Sequence, residues 1–263
     1  MRGIRGGSMM KRQLFDALLV ASIALLLVVS VDGESLSGQE RARALRVLFI
    51  GNSLTYTNDL PAIVEALAEA SGAARPSCKA IVAGGYSLED HWNQGTARKA
   101  IAGGGWDVVV LQQGPSASTE GRASLLEYAR RFAEEIRRAG ARPALYMVWP
   151  STQRKGDFDG VVESYRQAAE ETKGLLFPAG EAWRAAWRRN PKLALYSADG
   201  LHPTPAGSYL AALTIYQQLY AQTPDGLPAS LKLSGGTKIE IPPEEARLLQ
   251  AAAAEANQKF GRR

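Results

Sequence analysis

Short apolar runs alternate with longer amphipathic stretches along most of this chain. Arg46-Val47-Leu48-Phe49-Ile50 is apolar after its first residue and stops at Gly51, as a strand buried on both faces of a parallel sheet does. Similar runs predict strands over 77–83, 106–111, 142–148 and 174–177, with Trp106–Leu111 (WDVVVL) the strongest. Between them the 3.6-residue period predicts helices. One opens at Asn58-Asp59 with Pro61 in its first turn and runs to about Gly72. Others cover 120–139, closed by Gly140, then 158–173, 180–190 and 205–221. Strands alternating with helices predict an α/β protein of three layers, α/β/α, with a five-stranded parallel sheet. Ligands in such sheets bind at the carboxyl ends of the strands.

Two flanking regions depart from this rhythm. Residues 1–33 read as a signal peptide or N-terminal anchor, because Lys11-Arg12 precedes an apolar run from Ala17 to Val31. That run is short for a membrane span of about 20 residues. Export to the periplasm or cell exterior is expected, with an uncleaved anchor as the alternative and membrane contact only through this segment. Residues 34–45 are small and polar and read as a linker; the main domain is expected over 46–223. After Pro224, Leu231–Ile241 predicts a hairpin around Gly235-Gly236. Pro242-Pro243 then opens a last helix to about Lys259. The segment 224–263 is expected as an appendage packed on the domain.

Composition changes little in this picture. Hydrophobic residues make up 46% and charged residues 22%, ordinary for a globular protein. The net charge of +5 is unevenly spread: seven basic residues and four acidic ones fall within positions 1–46, which hold +3 of it. No basic run interleaved with aromatics follows, so a nucleic-acid partner is not expected. Cys78 is the one cysteine, which excludes an intramolecular disulfide. No Cys/His or carboxylate cluster has metal-ligand spacing, and no cofactor is called for.

Candidate chemistry gathers at the ends of the strand-helix region. Ser53 follows the first strand directly, in Gly51-Asn52-Ser53-Leu54. A hydroxyl there sits where this architecture binds ligands, beside a helix start whose N–H groups can hold an anion. Serine needs an adjacent base to act as a nucleophile, and the chain has two histidines, His91 and His202. His202 lies in Asp199-Gly200-Leu201-His202-Pro203, a spacing that lets the carboxylate reach the imidazole N–H and fix its tautomer. His91 follows Glu89-Asp90, but neighbours along a helix do not face each other. It reads as a supporting or substrate-side residue.

Gly51-Asn52-Ser53-Leu54 resembles the first block of the SGNH/GDSL hydrolases, with Asn52 where the family name has Asp. Asp199-Gly200-Leu201-His202-Pro203 resembles their last block. Leu48–Tyr56 is similar to an exported bacterial branch of the superfamily, and the resemblance spans about residues 46–221. It implies a flavodoxin-like SGNH fold and a serine esterase with Ser53 as nucleophile, His202 as base and Asp199 as its orienting carboxylate. It further implies oxyanion donors from a Gly after the second strand and an Asn after the third. Gly85, in Ala83-Gly84-Gly85-Tyr86-Ser87, fits the first. The third strand ends in Leu111-Gln112-Gln113-Gly114, without an Asn. The Gln112 amide is expected to take its place, with Gln113 as second choice. Trp149, after the fourth strand, is expected to line the substrate site. The expected substrate is a small-molecule or carbohydrate ester, with acetyl removal from carbohydrate foremost. The alternatives are a lipid esterase or thioesterase, or a non-catalytic glycan-binding or interaction protein on the same fold.

Overall fold

A computed structural model of the chain describes residues 43–261. Five parallel strands form one sheet: β1 (Arg46–Gly51), β2 (Ser77–Val82), β3 (Val108–Leu111), β4 (Arg142–Tyr146) and β5 (Leu175–Phe177). Their order is β2-β1-β3-β4-β5. β1 lies between β2 and β3, with Ile50 level with Ile81 and Leu111. The carboxyl ends of these three strands therefore face one another, and that edge is where the candidate residues converge. β3, and β1 after Arg46, are apolar along their length because both faces are covered.

A short helix α1 (Ser53–Tyr56) follows β1 directly. Helices α2 (Leu60–Ala70), α3 (Leu88–Gln94), α4 (Thr96–Ala102), α5 (Thr119–Arg138), α6 (Phe158–Glu171), α7 (Ala179–Arg189) and α8 (Pro205–Tyr220) complete the alternation. α2, α7 and α8 pack together on one side, and α3, α4, α5 and α6 on the other. α2 begins as its sequence predicts: the Asp59 side chain accepts from the Ala62 N–H and Pro61 sits in the first turn.

Several elements differ from expectation, among them α3, a helix the sequence did not predict. β3 starts at Val108, not Trp106, because the Asp107 carboxylate caps β1 by accepting the Arg46 N–H at 2.7 Å. Trp106 instead turns its N–H to the Ala100 carbonyl. α4 was not expected: Gly95 in the left-handed region ends α3 and starts α4 without a side-chain cap.

The hairpin β6 (Ser230–Lys232) and β7 (Lys238–Glu240) precedes the last helix, α9 (Pro243–Phe260). α9 packs on α7 and α8, burying Leu249, Ala252, Ala253 and Ala256. The expected leader and linker lie outside the described residues, apart from the linker's last three positions. Among the described residues no helix is long and apolar enough to cross a membrane, and no group of His, Cys, Asp and Glu is placed to hold a metal ion.

Candidate active site

The turn after β1 is built around Asn52. Its side chain accepts from the Leu54 N–H at 3.1 Å, capping α1 and placing Ser53 in the first helical position. Gly51 is required just before it. A Cβ there would fall 2.4 Å from Gln112 Oε1 and 2.5 Å from Thr55 Oγ1. Asn52 Nδ2 also donates to the Tyr86 carbonyl at 3.0 Å, tying the Ser53 turn to the loop that carries Gly85. Gly85 has φ of +74°, a conformation that favours glycine. Ser53 and Gly85 line one cavity of about 580 Å³, together with Gln113, Gly114, Ser116 and Leu201. Ser53 starts its helix, so its N–H has no intrahelical acceptor.

His202 and Asp199 form a local unit. Asp199 Oδ2 lies 2.5 Å from His202 Nδ1, while Oδ1 accepts from the N–H groups of Leu201 (2.8 Å) and His202 (2.9 Å) and from the Ser197 hydroxyl (2.9 Å). The bond to His202, then the two backbone donors and Ser197, hold the Asp199 carboxyl far below the usual carboxylate range. An ionised Asp199 makes Nδ1 the protonated ring nitrogen and leaves Nε2 as the acceptor. Gly200 closes the turn with φ of +72°, and Thr152 closes over it by donating its N–H to the Gly200 carbonyl at 2.8 Å. Leu201, next to His202, lines the same cavity as Ser53. Among the described residues Ser53 Oγ and His202 Nε2 make no hydrogen bond, and it is Leu201, not His202 itself, that lines the cavity.

No family model and no curated protein matches the chain. Among solved structures, a protein of Slackia heliotrinireducens assigned to the SGNH hydrolases is 31% identical, with a TM-score of 0.56. The similarity covers 66% of this chain and 98% of that one. The chain belongs to the SGNH hydrolases. A DUF4886 family protein from Bacteroides uniformis has the same fold at 21% identity and TM-score 0.66, over 82% of this chain and 95% of that one. So does a mutant of an acetyl-xylooligosaccharide esterase from Geobacillus stearothermophilus, at 16% identity and TM-score 0.52, over 67% and 95% of the two chains.

In this SGNH hydrolase the two glutamines after β3 do not act as the sequence suggests. Gln112 is fully buried. Its Oε1 accepts from the Asn52 N–H (2.9 Å) and the Thr55 hydroxyl (2.7 Å); its Nε2 donates to Asn52 Oδ1 (2.9 Å) and the Gln113 carbonyl (2.6 Å). Both amide hydrogens are thus engaged, and the expectation that Gln112 donates to an oxyanion is corrected: the side chain splints the Asn52-Ser53 turn. Gln113 borders the cavity, but its Oε1 accepts from the Leu88 N–H and its Nε2 donates to Ser116 Oγ at 2.8 Å. It anchors the loops around Leu88 and Ser116.

Trp149 is also corrected. It is fully buried and stacks on Trp183 with centroids 3.5 Å apart, so it touches no substrate space. Its indole N–H donates to the Leu201 carbonyl at 3.0 Å, fastening the His202 loop to the core. His91 is buried and its Nε2 lies 2.8 Å from the Gly51 carbonyl, beneath the Ser53 turn. Burial pulls its pKa down, which favours the neutral ring beneath the turn. The residues missed from sequence are Ser116, non-glycine at φ of +60°, and Arg154 and Asp157, which also line the cavity. A pairing of Arg154 with Asp157 three residues on was the available signal for the last two.

Proposed function

We propose that this SGNH hydrolase is a serine esterase that removes short acyl groups, acetyl foremost, from carbohydrate. His202 carries the reading: Asp199 holds its Nδ1 at 2.5 Å, and its neighbour Leu201 borders the cavity that holds Ser53 and Gly85. In the proposed reaction His202 Nε2 takes the Ser53 proton as Oγ attacks the ester carbonyl. The backbone N–H groups of Ser53 and Gly85 hold the oxyanion. His202 then protonates the leaving alcohol, and water repeats the sequence on the acyl-enzyme. Asp199, ionised throughout, stabilises the transient imidazolium.

The cavity wall supports a polar alcohol partner. Ser87, Ser116, Ser118 and Ser151 line it beside Arg154 and Asp157, groups suited to sugar hydroxyls. The leader supports an exported enzyme, which fractionation and N-terminal sequencing of the mature protein would check. For the chemistry, the purified protein is assayed on p-nitrophenyl acetate, butyrate and octanoate and on acetylated xylo-oligosaccharide. Acetate should exceed octanoate in kcat/KM by at least about tenfold. Ser53→Ala and His202→Ala should each abolish turnover, the double variant being little worse. A Ser53→Ala protein with wild-type kcat would overturn the reading, and a preference for octanoate would point to lipid or thioester substrates.

A further inference from the structure

We infer that Asn58 is a positioning residue that sets His202 against Ser53, an inference that rests on the esterase reading. The Asn58 side chain links the two halves of the site directly. Its Nδ2 donates to the Pro203 carbonyl at 3.1 Å and to Ser208 Oγ at 2.9 Å. Pro203 is the residue after His202, and Ser208 lies in the first turn of α8. Ser208 Oγ in turn reaches the Thr57 carbonyl at 3.4 Å. A single amide thus joins the end of the nucleophile helix to the loop that carries the base, across 145 residues of sequence.

The backbone is bent for this purpose. Asn58 has φ of 58° and ψ of 18°, and Asp59 has φ of 54° and ψ of 56°. Two consecutive non-glycine residues in the left-handed region are unfavourable, and such strain persists where the surroundings demand it. A right-handed Asn58 would continue α1 toward α2. The left-handed pair turns the chain so that the Asn58 amide faces Pro203. Asn and Asp are the side-chain-bearing residues that enter this region most readily. Glycine would enter it more easily still but has no amide to offer.

The Asp199–His202 contact needs no such help, since three residues separate the partners. Loss of the Asn58 amide should therefore leave the imidazole oriented by Asp199 but displaced from Ser53. Misplacement by about 1 Å costs on the order of a hundredfold in rate. Two variants separate the amide from the backbone: Asn58→Asp keeps size and left-handed tolerance but cannot donate, and Asn58→Gly keeps the turn and removes the side chain. Both should lower kcat on p-nitrophenyl acetate about 10- to 100-fold, with KM within about threefold.

A second readout does not depend on turnover. The chain has two histidines, and His91 is buried, so the His202 ring signals can be followed by NMR at one fixed pH. Ser53→Ala should shift the His202 ring signals in the wild-type background and leave them in place in the Asn58→Asp background. If Ser53→Ala shifts them equally in both, or if kcat in both Asn58 variants stays within about twofold of wild type, the inference is overturned. If the wild-type protein hydrolyses no ester, the esterase reading fails, while the NMR comparison still decides the role of Asn58.

Discussion

Gln112 shows how a single side chain can support chemistry without joining it. Its amide bonds four groups around the Asn52-Ser53 turn, all within the core. Removing a buried partner costs about 1–3 kcal/mol for each group left unsatisfied. Gln112→Ala strands the Asn52 N–H and the Thr55 hydroxyl and should lower stability by about 2–4 kcal/mol, read from denaturant midpoints. An oxyanion donor would behave differently, losing about 10²–10³ in kcat at nearly constant stability. His91 gives a pH test of the same turn. Its folded pKa lies below the ordinary value of about 6.5, through burial. The unfolded chain therefore takes up this proton first. The stability linked to His91 is complete above about pH 6.5 and is lost as pH falls toward the lower folded value. His91→Gln keeps an N–H for the Gly51 carbonyl and removes the titration. Between pH 7 and 5 its thermal midpoint should fall less than that of the wild type; an equal fall would show that His91 does not contribute.

Among the elements, the C-terminal tail is more than a cover. α9 buries one face against α7 and α8, where Asn257 bonds Gln218 at 3.0 Å and the Thr214 carbonyl at 3.2 Å. Glu255 gathers Lys259, Arg189 and Arg188, which together lower its pKa to about 2. Leu231, Leu233, Ile239 and Ile241 of the hairpin region are buried as well. Each such side chain is worth about 1.5–3 kcal/mol of burial, a large share of a typical total stability of about 5–15 kcal/mol. A chain ending at Thr223 should fail to give a cooperative unfolding transition; a well-folded, active product would show that the tail is dispensable. The elements that sequence predicted well are those with a strong period or sharp punctuation, such as β1 before Gly51 and α2 after Asp59. α4 escaped because Thr96–Ala102 is short, uncapped and set between glycines. α8 has little amphipathic pattern because nearly every position is covered.

For the molecule as a whole, the sequence revealed the Asp199–His202 pair most clearly, because the two are neighbours in one turn. Ser53 could be placed at the sheet edge from the end of the first strand, and Gly85 through the family resemblance. The roles of Gln112, Trp149 and Asn58 were not legible, since each depends on which distant loop folds against it. Trp149 meets Leu201 and Asn58 meets Pro203 only after β4 and α8 are in place.

That dependence has a consequence for timing. Contacts joined across long stretches of chain form late, because loop closure must precede them. Helices and the carboxylate-imidazole turn involve near neighbours and can form early. During refolding from denaturant, far-ultraviolet ellipticity should therefore return before catalytic turnover does. Enzyme activity in this protein is then a clock for the last event of folding, the moment when the two ends of the strand-helix region lock together.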